Sequence, residues 1–62
     1  MQFSLRELRA RQGWTQLEAA KKVGVSAQAY NNWEKSLSNV RIKYLVKLAD
    51  TFGVPMTDIK IE

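Results

Sequence analysis

Gln28, Asn31, Asn32 and Lys35 stand at i, i+3, i+4 and i+7, the spacing of one face of an α-helix, and none of the four is acidic. A side-chain amide carries a donor and an acceptor side by side. That pair matches the N6 donor and N7 acceptor of adenine in the major groove of duplex DNA, whereas a lysine meets phosphate oxygens. Gln28, in the first turn of the helix, is the leading candidate base reader. Asn32 follows one turn later. Asn31 and Ala27 flank that line, Ala27 being small enough to touch a thymine methyl. Lys35, at the far end, faces the phosphate rim. The plain alternative is a solvated helix face. Such a face ordinarily carries Glu and Lys, which favour helix more than Asn does, so two adjacent asparagines point to a use that offsets their cost.

Other chemistries are excluded by what the chain lacks. It has no cysteine and no histidine, which removes thiol redox chemistry, Cys/His zinc sites and the usual neutral-pH proton shuttles. Six carboxylates remain, with no metal-ligand cluster and no glycine-rich phosphate loop beside them. The expectation is a binding domain and not an enzyme, without cofactor or metal. Ten Lys/Arg against six Asp/Glu give a net charge of +4. A soluble surface carries as much, so position matters more than the sum. Residues 1–47 carry +6 and residues 48–62 carry −2. The basic part is the one suited to a polyanion, and Arg6, Arg11, Lys21, Lys22, Arg41, Lys43 and Lys47 join Lys35 as candidates for phosphate.

Sixty-two residues suffice for one domain, and no repeat, low-complexity tract or Pro/Gly/Ser linker divides them, so residues 1–62 read as a single domain. The opening Met-Gln-Phe-Ser-Leu-Arg resembles neither a secretory signal nor a membrane span, which predicts a cytoplasmic setting and no membrane partner.

The elements that position the polar face are marked by capping signals. Ser4 with Glu7 forms a capping-box pattern, and Phe3 with Leu8 the matching hydrophobic staple. Gly13 ends that helix. Thr15 with Glu18 opens a second helix that stops at Gly24, and Ser26, with Val25 and Tyr30 as staple, opens the third. A fourth carries Ile42, Leu45, Ala49 and Phe52 on a 3.6-residue stripe flanked by Val46 and Leu48, with Asn39 the preferred cap and Arg41 the latest entry. Val54-Pro55 resets the chain for a short last helix. The fold class is therefore all-α, with four to five helices over about 4–12, 16–23, 26–36, 40–52 and 56–60, and no strand.

Residues 16–33 meet the demands of a helix-turn-helix. Ala20 is small where the third helix crosses the second, Gly24 turns the chain, and Tyr30 and Trp33 face inward three residues apart. Trp14 is assigned neither to the core nor to stacking on a ligand.

The set Leu5-Arg6-Glu7-Leu8-Arg9, Thr15-Gln16, Ala20, Val23-Gly24-Val25-Ser26, Trp33-Glu34 and Leu45 through Gly53-Val54 resembles the Cro/repressor-like (lambda-repressor-like, XRE-type) helix-turn-helix domains. The resemblance implies a five-helix domain acting as a transcriptional regulator that binds a pseudo-palindromic double-stranded operator as a homodimer, and repression is the expected mode of regulation. It places Gln16 on the DNA backbone and pairs Arg9 with Glu34. Charge split and analogy put the dimer surface in the C-terminal part, Phe52 to Ile61. A protein-interaction module or antitoxin using the same fold without reading an operator is the alternative. Two departures stand out: Glu34-Lys35-Ser36 replaces the family's Glu-Asn-Gly, and Val40-Arg41 replaces the proline and cap before the fourth helix. The loop after Lys35 is expected to take its own shape.

Overall fold

The computed structural model describes residues 1–61. Four helices, α1 (Leu5–Gln12), α2 (Gln16–Val23), α3 (Ala27–Lys35) and α4 (Ile42–Phe52), are followed by a 3-10 turn, Met56–Asp58. The all-α class expected from the sequence is what the chain forms. Both capping boxes close: Ser4 Oγ accepts the Glu7 N–H at 3.1 Å while Glu7 Oε1 accepts the Ser4 N–H at 2.9 Å. Thr15 and Glu18 do the same at 3.1 and 2.8 Å. Each box satisfies two amides that a helix start leaves unpaired. Ser26 caps α3 by accepting the Ala29 N–H.

The start of α4 differs from expectation. Arg41, not Asn39, is its N-cap, and it makes no side-chain capping bond. Asn39 is held in a turn closed by the Val40 N–H on the Leu37 carbonyl, so it is not free to cap. The chain end also differs. The last helix, expected over 56–60, is one 3-10 turn, because the next residues are taken into backbone pairing with the N-terminal segment: the Phe3 N–H donates to the Asp58 carbonyl at 2.7 Å and the Lys60 N–H to the Phe3 carbonyl at 2.8 Å. This isolated parallel bridge between Phe3 and Ile59 ties the two ends of the described chain together.

The core is built from Leu5 and Leu8 of α1, Ala19, Ala20 and Val23 of α2, Tyr30 of α3, Leu37 of the following loop, Leu48, Ala49 and Phe52 of α4, and Ile59. Leu48 is fully buried, while Ile42 and Val46, expected on or beside the apolar stripe, are 67% and 49% exposed. The core meets α4 through its last two turns, and the first turn projects past it. Leu17 is likewise exposed on α2. Trp14 resolves as packing: its ring lies 5.7 Å from Phe52. Trp33 rests 5.3 Å from Tyr44. Phe52 and Ile59, expected at a dimer surface, belong to the core of this chain, because the parallel bridge and α4 fold them inward.

Candidate nucleic-acid interface

The turn between α2 and α3 sets the pose of the polar helix. The Ala20 carbonyl accepts both the Gly24 N–H at 2.9 Å and the Val25 N–H at 3.0 Å. Accepting both requires the left-handed backbone at Gly24, whose φ is 89°. Ala19 and Ala20 carry nothing beyond Cβ, so Tyr30 can bury completely where the helices cross. With Tyr30 turned inward, Ala27, Gln28, Asn32 and Lys35 are exposed on α3. Gln28 Nε2 lies 3.4 Å from Asn32 Oδ1, a long contact on the surface that leaves both amides adaptable.

The inner edge of α3 is held by charge. Arg9 Nε donates to Glu34 Oε2 at 2.6 Å and Nη2 to Oε1 at 3.2 Å, while Nη1 reaches the Trp14 carbonyl at 3.0 Å. The Glu34 side chain is 3% exposed and that of Arg9 20%. The pair that the resemblance implied is thus formed, and it joins α1 to the end of α3. Burial pushes the Glu34 carboxyl up, but the hydrogen bonds from Arg9 and Gln16 outweigh it and hold the group below the ordinary glutamate range. The bond to Glu34 holds the Arg9 guanidinium still more firmly protonated. Burial above all, with the neighbouring Glu34 carboxylate acting in the same direction, drives the Tyr30 hydroxyl far above the usual phenol range. That hydroxyl is buried with no hydrogen-bond partner.

Gln16 and Asn31 are drawn into the same network. Gln16 Nε2 donates to Glu34 Oε1 at 2.9 Å, and Asn31 Nδ2 donates to Gln16 Oε1 at 2.8 Å. Gln16, expected on the DNA backbone, has both ends of its amide engaged within the protein. Asn31, expected among the base readers, is half-buried at the border between the exposed face and the packed one. These links were not foreseen. Their signal was present all the same: Asn31 precedes Glu34 by three residues, so the two share a helix edge, and whatever grips Glu34 lies within reach of Asn31.

The cations fall into groups. Arg11 stacks over Phe3 at 4.1 Å, Lys22 over Trp14 at 5.3 Å and Lys43 over Tyr44 at 5.1 Å, while Arg6, Lys21, Lys35, Arg41 and Lys47 are exposed. Glu7 and Glu18 stand in the first turns of α1 and α2, but the first turns of α3 and α4 hold no acid. No carboxylate therefore offsets the positive dipole end of α3 or of α4. After Lys35 the chain leaves in an extended conformation at Ser36, φ −162°, as expected without the family's glycine. Leu37 then buries, and its N–H donates to the Ile61 carbonyl. Among the described residues no three His, Cys, Asp or Glu side chains converge as metal ligands, and no helix is long and apolar enough to cross a membrane.

A helix-turn-helix family model matches residues 5–59. The chain is 38% identical over 61 residues to an uncharacterized HTH-type transcriptional regulator of Archaeoglobus fulgidus, spanning 98% of this chain and 87% of that protein. It is 30% identical over 54 residues to antitoxin HipB of Escherichia coli K12, spanning 87% of this chain and 61% of HipB. HipB of Escherichia coli O6:H1 matches at the same identity over 57% of its length. No solved structure matches significantly. The chain belongs to the helix-turn-helix family, in agreement with the resemblance read from its motifs.

Proposed function

We propose that residues 1–62 act as one sequence-specific, double-stranded-DNA-binding domain of a cytoplasmic transcriptional repressor, with α3 in the major groove. The observation that carries this reading is the exposed, acid-free face of Ala27, Gln28, Asn32 and Lys35 on a helix held by the buried Glu34. Gln28 and Asn32 read base edges there, and Lys35 meets a phosphate. Arg41 and Lys43, at the acid-free start of α4, are the next phosphate contacts. Gln16 and Arg11 rank lower, one engaged by Glu34 and Asn31 and the other stacked on Phe3. Similarity to an HTH-type transcriptional regulator supports the same reading.

A domain of this size covers half an operator, so it acts as a homodimer on a pseudo-palindromic site. Of the C-terminal part, Pro55, Met56 and Ile61 remain exposed to make the contact. Sedimentation of the chain with an operator duplex gives two chains per duplex on this reading; one chain per duplex contradicts it.

A protein-interaction module of the antitoxin kind is the second reading, favoured by the identity to HipB and by the exposed Leu17, Ile42 and Val46. Salt separates the two. Two chains that each engage about four phosphates give a log–log slope of about −7 against salt concentration, measured by fluorescence anisotropy on a labelled operator duplex. A flat response, or no binding at low salt, contradicts DNA recognition.

A further inference from the structure

We infer that Glu34, through Gln16, fixes the direction of the Asn31 amide and so makes Asn31 a selector for bases that present an amine in the major groove, adenine and cytosine. The inference rests on the DNA reading proposed above. A carboxylate engaged by Arg9 only accepts hydrogen bonds, so the end of the Gln16 amide that faces Glu34 is its amino group. The Gln16 carbonyl then points the other way and takes the amino group of Asn31 at 2.8 Å. Each amide is oriented by the one before it, and the series starts from a carboxylate that is 3% exposed. Reversing Asn31 would set two oxygens against each other at Gln16. Reversing both amides would set the Gln16 oxygen against the Glu34 carboxylate.

The amino group of Asn31 is thus held toward α2, so the end of the amide turned away from Gln16 is its carbonyl, on a residue that lies three positions from Gln28 and four from Lys35 along the same helix face. In the major groove adenine N6 and cytosine N4 are donors, whereas guanine O6 and thymine O4 are acceptors. A carbonyl that cannot be exchanged for an amino group accepts from adenine or cytosine and is opposed by guanine or thymine. Gln28 and Asn32 differ in kind: their mutual contact is 3.4 Å long, exposed, and ends on no charge, so either amide can turn to suit the base. Gln16 is accordingly a positioning residue, and Asn31 a specificity-determining one.

The test is selection from a random duplex library with the full chain and with Asn31→Ala and Gln16→Ala, each first checked by thermal melting. The native chain enriches adenine or cytosine about 3- to 10-fold at one position of the site, the worth of one hydrogen bond. Asn31→Ala levels all four bases at that position alone. Gln16→Ala, which frees the amide to turn, admits guanine and thymine there while the rest of the motif stands. Guanine or thymine in the native motif at the position that Asn31→Ala levels would overturn the inference, as would an unchanged preference in Gln16→Ala. A native motif in which Asn31→Ala levels no position would also overturn it. Failure of the native chain to enrich any motif overturns the DNA reading itself, and the inference with it.

Discussion

Arg9 and Glu34 meet through two parallel hydrogen bonds, at 2.6 and 3.2 Å, across 25 positions of the chain. The contact fastens the C-terminal end of α3 to α1, on the side opposite the exposed amides. Removing Arg9 leaves Glu34 a buried, uncompensated carboxylate. Arg9→Ala is expected to lower stability by about 2 to 3 kcal/mol in urea unfolding, below the full value for a buried pair because Arg9 is partly exposed. A loss within experimental error would show that α3 is held by packing alone.

Tyr30 buries its hydroxyl without a partner next to that pair. An unsatisfied buried hydroxyl opposes folding, so Tyr30→Phe is expected to be neutral or to raise stability by up to about 1 kcal/mol. A clear loss in the same unfolding measurement would mean the hydroxyl bonds to Glu34 in solution.

Acid should weaken the fold by a route that can be assigned. Glu7 and Glu18 are held below their ordinary value of 4.5 by bonds from the backbone and then the side chains of Ser4 and Thr15, and Glu34 by Arg9 and Gln16 against the effect of burial. A carboxyl depressed in the folded state contributes stability above its unfolded value and loses it as pH falls through the folded one. Thermal midpoints should therefore be steady from pH 7 to 5 and fall below pH 4.5. Glu7→Gln and Glu18→Gln should lessen the fall. A midpoint unchanged down to pH 3 would contradict the assignment.

Gly24 carries the turn on which the pose of α3 depends. A Cβ there meets nothing within 4 Å, so Gly24→Ala tests the left-handed backbone without a clash. The expected loss is about 1 to 2 kcal/mol, with the helical circular-dichroism signal retained below the melting point. No loss would place the turn under less constraint than φ of 89° implies.

How far the sequence carried each of these features depended on range. The starts of α1, α2 and α3 followed from local capping chemistry, since Ser4, Thr15 and Ser26 act within three residues of themselves. The start of α4 did not, because Asn39 is drawn into a turn that no local signal announces and Arg41 caps with backbone alone. The last helix shortened for the same reason: the pairing of Phe3 with Ile59 joins positions at opposite ends of the chain. In the site, helical periodicity placed Ala27, Gln28, Asn32 and Lys35 on the surface correctly. It could not show that the Gln16 amide and the amino group of Asn31 are engaged within the protein, because that depends on a carboxylate arriving from the far end of α3.

The central claim is that the exposed amides of α3 read duplex DNA, and Gln28 is the residue placed to show it. The most direct measurement is the affinity of the native chain and of Gln28→Ala for a selected site and for a scrambled duplex of equal length. Gln28→Ala is expected to lose about 1 to 3 kcal/mol on the selected site, relax preference at one base pair and bind the scrambled duplex as before. Equal affinities of native and variant chains on both duplexes would contradict the placement of α3 in the groove.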